Sequence, residues 1–598
     1  MVLLSVLLAG ALAASAEPPA AQLRRILEQD WAFLLEADPL FATEVGERQG
    51  IDRLPEAGPA AQLERYRHDR DVLEQLRSLD RERLGPEERL DVELLERFKN
   101  DAVAEYEFGS QLMPLTAGTG FHVALPQLCE SAPLRSVADH EAYLARLRQV
   151  PRYFAQQTEL LRAGVRRGLV VSREALHGWE AAFTPHLDEV PATDPLFAPF
   201  RALPADLPEA ERARLTLEAE RAIREAVAPA YRRLRAFLAE VYVPAARRSL
   251  GVGSLPGGKE FYVRRIRRYT TLELTPRAVH QLGLSEVARV REQMGQLLVQ
   301  LEFRGTLDMF LEQLREDPRF RPKSAAELLA AAREALSRVE AALPRLFVQL
   351  PTTPYELRSV PAALAPGATA AYYEPPAQRG APGIFYLNTF ELESRPLFEI
   401  EALALHEAIP GHHLQLALQR ERADLPAFRR YFTVPAFTEG WAVYAESLGS
   451  EAGLYADPYR EFGRLSYAMW RASRLVVDTG IHAFHWSRRQ ARDFLASNTA
   501  LSLHNIDIEV NRYVAQPGQA LAYAYGERQI RELRALAERE LGARFDLREF
   551  HTAVLRDGAV PLPVLEARVR EWLAGRKHAL SGERTSPPTP AAAPRAPG

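Results

Sequence analysis

The sequence lacks three features that would each indicate a particular class of protein. It contains one cysteine, Cys129, which cannot form a disulfide within the chain and alone does not indicate a thiol-dependent enzyme. We expect this residue to be a small buried apolar side chain. Charge of one sign is not in excess, because 75 Lys and Arg oppose 79 Asp and Glu, giving −4. This balance argues against nucleic acid or an anionic membrane as the partner.

Long apolar runs are also absent, except at the start of the chain. Residues 1–14 are apolar and small, and Ala14-Ser15-Ala16 fits a signal-peptidase cleavage site. The run is too short for a membrane span, and no Lys or Arg precedes it. We interpret residues 1–16 as a signal peptide, so the protein would be exported to the periplasm or secreted and would have no membrane span after cleavage.

The rest of the chain is predominantly helical by pattern. Apolar residues recur at three- and four-residue spacing in segments such as 60–79 and 141–166. The pattern predicts an all-α protein over residues 17–575, as one domain or two lobes around a deep cleft. Residues 261–269 mix apolar and basic side chains and suggest a strand or extended cover. The Ser/Pro/Ala-rich end, residues 576–598, is predicted to be disordered.

The most informative stretch is His406-Glu407-Ala408-Ile409-Pro410-Gly411-His412-His413. Neutral imidazole is a good zinc ligand, and a carboxylate beside such ligands can act as a general base. The spacing differs from the helical H-E-x-x-H pattern, since Pro410 occupies the i+4 position. Proline cannot continue the helical hydrogen bonding, and Gly411 is conformationally free, so we expect a bulge or break there. The alternative is a group of surface histidines at a helix end.

Two histidines compete for the place of the second ligand. On a regular helix His413 points in nearly the right direction, but it lies about 10.5 Å along the axis from His406. A bulge that absorbs two residues would bring His412 beside His406. We therefore predict His406 and His412 as ligands, with His413 packing nearby or contacting substrate.

A second motif, T-E-G-W-A-V-Y-A-E at residues 438–446, offers the remaining ligand. Glu439 and Glu446 are seven residues apart and fall near one face of a mostly buried helix. An unpaired charge on such a helix is costly, so each carboxylate needs a partner. We predict Glu439 as the third ligand and Glu446 as the acceptor of a ligand imidazole N–H. The alternative for Glu439 is an acidic residue at a helix start, capped by Thr438.

Four motifs in order resemble one bacterial family. The two motifs above, with V-V-D-T-G-I-H (476–482) and P-G-Q-A-L-A-Y (517–523), resemble domain of unknown function 885, which is similar to the gluzincin zinc metallopeptidases. The resemblance implies a largely helical zincin-like fold in which two histidines and a distant glutamate hold Zn²⁺, and a peptide substrate. A glycine before the second histidine ligand also matches such peptidases. This chain differs by two extra residues in its first motif.

Further site residues are expected around the metal. A short strand at Ile384–Leu387 forms a minor β element, and near such a zinc site it could hold an extended peptide, which directs attention to Tyr386 and Asn388. The alternative is a small core hairpin. Tyr523 and His482 are candidate donors to an oxyanion, and Arg512 is a candidate anchor for a substrate carboxylate. Each of these three, taken singly, has a purely structural alternative.

These observations combine into a zinc-dependent hydrolase, most simply a peptidase in which Glu407 accepts a proton from water and passes it to the leaving amine. Two alternatives come from the same residues. One is a helical peptide-binding or scaffold protein whose metal is structural or absent. The other is a zinc amidase acting on a non-peptide substrate.

Overall fold

Helices dominate the computed structural model, which is 71% helical. It describes residues 17–581 except 129–131, 133, 189, 363 and 377–379, and the side chains of 579–581 are not described either. The predicted all-α class, with a minor β element, is confirmed in this coarse form. The expectations about Cys129, the segment 1–16 and the tail from residue 582 lie outside the described residues.

The first part of the chain consists of long helices that begin and end at recognisable signals. Several begin with proline in the first turn, where the missing N–H has no intrahelical partner to lose. Ser136 caps the longest helix through a capping box with Asp139, and Gly168 ends it with a left-handed backbone conformation. The helices of eight residues or more are α1 (Pro19–Ala37), α2 (Pro59–Ser78), α3 (Pro86–Phe108), α4 (Val137–Arg167), α5 (Glu209–Ala222) and α6 (Ala228–Phe237).

The middle of the chain continues as helix, including one segment where a strand was expected. Residues 261–269 lie within a helix, so the expectation of a strand or extended cover is wrong. The physical reason is that Tyr262, Ile266 and Thr270 are buried at four-residue spacing while the arginines occupy the other face. The helices here are α7 (Gly258–Thr270), α8 (Pro276–Gln300), α9 (Leu307–Glu316) and α10 (Ala325–Glu340).

A three-stranded sheet precedes the first motif and confirms the predicted minor β element. Its strands are β1 (Tyr355–Ser359), β2 (Ala371–Glu374) and β3 (Gly383–Leu387). The order is β1-β3-β2, with β3 parallel to β1 and antiparallel to β2. Because β3 is the central strand, both of its edges are already paired, so the expectation that it binds an extended peptide through its main chain is wrong.

The last part of the chain carries the motifs on closely packed helices. These are α11 (Ile400–Glu407), α12 (His412–Glu421), α13 (Pro435–Ser447), α14 (Pro458–Ala483), α15 (Arg488–Asn498), α16 (Leu503–Ala515), α17 (Ala522–Leu541), α18 (Leu547–Leu555) and α19 (Leu562–Ser581). The final helix therefore extends beyond residue 575, where we had expected the helical region to end.

Two helix pairs, α8 with α14 and α13 with α17, make the most extensive contacts. In the second pair Gly440 faces Gly526, and a Cβ at either position would overlap the backbone of the opposite helix. The glycines thus allow a close approach that no other residue permits. A connected apolar core runs from Leu23 in α1 to Leu573 in α19. Among the described residues, no helix is both long and apolar enough to span a membrane.

Candidate metal centre

The first motif forms a helix break, as its proline and glycine predict. Helix α11 ends at Glu407 and α12 begins at His412. The turn between them contains a cis peptide bond before Pro410, and the Trp441 indole N–H donates to the Pro410 carbonyl at 2.8 Å. A Cβ on Gly411 would overlap the carbonyl oxygens of Leu405 and His406. This close return of the chain allows His412 to lie beside His406.

The break brings together the three side chains expected as ligands. One ligand atom each from His406, His412 and Glu439 lies within 4.8 Å of the other two. The Glu439 Oε2 atom is 3.4 Å from Nε2 of His412 and 3.7 Å from Nε2 of His406. Ligand atoms bonded to one tetrahedral zinc ion at about 2.0–2.2 Å lie roughly 3.3–3.6 Å apart. The two distances from Glu439 to the histidines are close to this range.

The chemistry of the three groups also fits a cation. Glu439 Oε2 and His412 Nδ1 are buried atoms without a hydrogen-bond partner among the described residues. Burial favours a neutral Glu439, but the neighbouring imidazoles of His406 and His412 outweigh it and hold the pKa of Glu439 well below its usual range. An ionised, buried carboxylate oxygen without a hydrogen-bond donor is costly unless a positive charge faces it.

Glu446 lies behind the candidate ligands in the position predicted from its seven-residue spacing. The Nδ1 atom of His406 donates to Glu446 Oε1 at 2.8 Å, and its Nε2 atom faces Glu439 Oε2 at 3.7 Å. The Arg471 guanidinium lies 2.6 Å from the same carboxylate. Burial disfavours the imidazolium, but hydrogen bonds to Glu439 and Glu446 raise the pKa of His406 to about 9. The carboxylates therefore stabilise a positive charge at this ring, and a metal cation at Nε2 would take the place of a proton.

Glu407 is the last residue of α11, next to His406. Its side chain is 7% exposed, and within the described parts of the chain its carboxylate has no hydrogen bond or ion pair. Most buried carboxylates in this protein are paired; Glu401, for example, lies 2.7 Å from Arg338. Glu407 directly follows His406, and an unpaired carboxylate at this position is a candidate acceptor of a proton from water.

Tyr523 also lies at the centre. Its ring is nearly parallel to that of His406, with centroids 6.3 Å apart, and the Arg474 guanidinium lies 4.3 Å from its centroid. Burial raises the pKa of the Tyr523 phenol, and the negative charge of Glu439 adds to this effect. The phenol therefore keeps its proton and can donate a hydrogen bond. The Gly440–Gly526 contact between α13 and α17 holds Tyr523 near Glu439.

His413 turns away from the three ligand groups and towards the sheet. Its Nδ1 atom lies 2.9 Å from the Tyr373 hydroxyl, and its ring packs against Tyr355. Burial lowers the pKa of His413 to about 4, so the ring is neutral. The structure therefore places His412 at the candidate centre and gives His413 a packing position.

Tyr386 and Asn388, the two residues expected to contact a peptide substrate, make contacts within the protein instead. Tyr386 packs with Val360 and Ala365, on the face of the sheet opposite to Phe385 and Leu387, which join the main core. Asn388 is completely buried. Its amide donates to three backbone carbonyls (Ala365, Ala368 and Thr369) and its oxygen accepts from the Phe390 N–H. Asn388 thus holds a loop together, and its expected substrate contact is corrected.

The expectation that His482 donates to an oxyanion is also corrected. Its Nδ1 atom accepts from the Val252 N–H at 3.0 Å, and its Nε2 atom donates to the Tyr513 carbonyl at 2.9 Å. Burial lowers the pKa of His482 to about 3. Both ring nitrogens are therefore used by backbone groups, and neither is free to donate to an oxyanion. Arg512, in contrast, forms an ion pair with Glu509 at 3.3 Å. Its positive charge acts to lower the pKa of Tyr523, against the larger effect of burial.

Helix α14 contributes charged residues that the sequence analysis missed. Arg471, Arg474 and Asp478 are all buried in it. They are spaced i, i+3 and i+7, so they share one face of the helix. That face contacts Glu446 through Arg471 and Tyr523 through Arg474. Charged residues at helical spacing within an otherwise apolar segment were the available sequence signal.

Two solved structures resemble the protein over nearly its whole length. A protein from Colwellia psychrerythraea described as a "putative lipoprotein" aligns with a TM-score of 0.87 and 29% identity, covering 93% of this chain and 99% of its own. A "putative lipoprotein of unknown function" from Shewanella oneidensis aligns with a TM-score of 0.66 and 17% identity, covering 92% of this chain and 99% of its own. The second similarity concerns the fold alone.

Among curated proteins, no match is found. The family model of DUF885, a bacterial protein family of unknown function, matches residues 39–569, which include every candidate site residue. The chain therefore belongs to the DUF885 family of bacterial proteins.

Proposed function

We propose that the protein is a zinc-dependent hydrolase of zincin-like fold that cleaves peptide bonds in a cleft beside His406, His412 and Glu439. One observation carries the proposal: these three ligand atoms converge within 4.8 Å, and the residue that follows the first ligand in sequence is Glu407. A structural metal site would use four protein ligands, whereas a catalytic one uses three and leaves a position open. Within the described residues, no further His, Cys, Asp or Glu completes the group.

The roles of the side chains follow from their positions. Zinc, held by Nε2 of the two histidines and by Glu439, would supply Lewis-acid polarisation of a carbonyl and lower the pKa of water. Glu407 accepts the proton of the attacking water and passes it to the leaving amine. Tyr523 donates its O–H to the carbonyl oxygen as negative charge develops there. Glu446 keeps His406 in the tautomer that directs Nε2 at the metal.

Export forms part of the proposal. Residues 1–16 have the composition of a signal peptide, with an A-x-A site. The similar Colwellia psychrerythraea protein is described as a "putative lipoprotein", which is a class of exported proteins. We therefore place the hydrolase in the periplasm or outside the cell.

The test is hydrolysis of a mixed peptide library by zinc-loaded protein and by its Glu407→Gln variant, with zinc content measured for both. We expect both to bind one zinc ion and the variant to lose roughly 10²–10⁴-fold in activity, the contribution of a general base. Identical product profiles would refute the role of Glu407. Bound zinc without cleavage of any peptide would refute the peptidase, and a screen of non-peptide amides would then separate an amidase from a binding protein.

A further inference from the structure

A cluster of charged side chains beside Tyr523 carries one more positive than negative charge. Arg474 and Arg512 each lie 3.3 Å from the same atom, Glu509 Oε2. Burial and the positive charge of Arg474 both act to lower the pKa of Arg512, against the negative charge of Glu509. Two guanidinium groups therefore share one carboxylate, and one positive charge has no counterpart within the cluster. A buried, uncompensated charge is costly, so such a cluster favours the binding of an anion.

The same cluster contains hydrogen-bond donors without acceptors. Nη1 of Arg474 and Nε of Arg512 are buried atoms that donate to no acceptor in the described parts of the chain, and Nη2 of Arg512 has only its 3.3 Å ion pair with Glu509. Other buried polar groups nearby are satisfied; His482, for example, uses both ring nitrogens. The missing partners at the cluster are thus acceptors, and a carboxylate matches the planar fork of a guanidinium with two oxygens.

The cluster adjoins the candidate metal centre and is open to solvent on one side. The Arg474 guanidinium lies over the ring of Tyr523, and that ring stacks with His406. Arg474 is 3% exposed, whereas the side chain of Arg512 remains 22% exposed and that of Glu439 remains 19% exposed. Arg512 is therefore the more accessible of the two arginines.

We propose that Arg512, supported by Arg474, binds a carboxylate of the substrate close to the scissile amide. This inference rests on the proposed hydrolase function and specifies its substrate class. Two sources share the required chemistry: the α-carboxylate at the end of a peptide, and the side chain of an acidic residue.

The experiment compares three matched acetylated peptides on zinc-loaded protein: a neutral peptide with a free C-terminal carboxylate, its C-terminal amide, and an amidated peptide with one glutamate. Hydrogen bonds to a charged group contribute about 1.5–3 kcal/mol, so kcat/KM for the preferred carboxylate should exceed that of the neutral amide by roughly 10- to 100-fold. The preference should appear mainly in KM. Preference for the acid identifies the terminal carboxylate, and preference for the glutamate peptide identifies the side chain.

The Arg512→Gln variant should lose this preference, so that its kcat/KM becomes equal for the carboxylate peptides and the neutral amide, and Arg512→Lys should retain part of it. Arg528→Gln is the control, because Arg528 is half-exposed and pairs with Glu532 at 2.8 Å on the solvent side of α17. Equal kcat/KM for all three peptides, unchanged by Arg512→Gln, would overturn the inference and leave the hydrolase intact.

A binding measurement separates failure of the inference from failure of the proposed function. Calorimetric titration of the zinc-loaded Glu407→Gln protein with the same three peptides requires no turnover. Tighter binding of a carboxylate peptide that depends on Arg512 would support the anion site even if no peptide is cleaved. Equal binding of all three peptides, with or without Arg512, would exclude the anion site by a route independent of catalysis.

Discussion

Replacing Glu446 by glutamine tests how the buried carboxylate behind His406 contributes to metal binding. The substitution preserves shape and leaves an oxygen that can accept from His406, but it removes the negative charge. The site is closely packed, since Glu446 is 2% exposed and lies 2.8 Å from His406 Nδ1 and 2.6 Å from Arg471. The substitution therefore makes the His406 imidazole less basic and leaves the Arg471 guanidinium without its counter-charge.

Two magnitudes follow from this geometry. Loss of the hydrogen-bond partner of a metal-bound imidazole typically costs 10–100-fold in metal affinity, equivalent to about 1.4–2.7 kcal/mol. Removing one partner of a buried ion pair costs about 3–5 kcal/mol in stability. Because glutamine retains a polar oxygen for Arg471, we expect the stability loss to lie near the lower end of that range. Zinc affinity should thus fall while most of the protein remains folded.

The assay is zinc competition against a chromophoric chelator, with urea unfolding of the metal-free proteins beside it. Glu401→Gln is a matched control, because Glu401 is also buried and lies 2.7 Å from Arg338 and 2.8 Å from Arg460, with no hydrogen bond or ion pair to a histidine of the described residues. We expect the control to lose stability but to keep wild-type zinc affinity. Equal zinc affinity in wild type and Glu446→Gln would refute the reasoning, as would an equal loss in both variants.

Three further predictions address the ligands, the helix packing and the pH dependence. The His412→Ala variant should lose bound zinc by elemental analysis while His413→Ala retains it, and the reverse result would make His413 the ligand. The Gly526→Ala variant should lose about 1–3 kcal/mol of unfolding free energy, because its Cβ overlaps the backbone of α13, whereas Gly295→Ala, with open space around it, should not. Burial raises the pKa of Asp478 to about 7 from its ordinary 3.8, so the folded state binds this proton more tightly than the unfolded chain. The free energy of unfolding should therefore fall as pH rises from about 4 to about 7. The Asp478→Asn variant should reduce this dependence of the unfolding free energy on pH. An unchanged dependence would exclude the Asp478 carboxyl as its cause.

The helical architecture could be read from the sequence where one face of each helix is apolar. The error at residues 261–269 shows where this reading fails. The arginines on one face interrupt the apolar residues, and the burial of Tyr262, Ile266 and Thr270 at four-residue spacing becomes evident only when neighbouring helices cover them. The central position of β3 could not be predicted either, because strand order depends on contacts between segments that are distant in sequence.

The candidate site was predictable where its chemistry depends on local covalent constraints. A proline at the i+4 position and a following glycine predict the break between α11 and α12, and the seven-residue spacing predicts that Glu439 and Glu446 share a face. The sequence could not show that the polar atoms of His482 and Asn388 are already used in hydrogen bonds. Each side chain is saturated by backbone groups far away in sequence, namely the Val252 N–H and the Ala365 carbonyl.

The sequence by itself determined the helical class, the helix break and the residue types that can bind a metal, because these follow from the conformational limits of proline and glycine and from apolar periodicity. Only the tertiary structure decided that His412 rather than His413 joins His406, and that Arg474 and Arg512 share the single carboxylate of Glu509. The direction of a side chain depends on the close packing of α13, α14, α16 and α17, and such packing joins residues that local sequence does not connect.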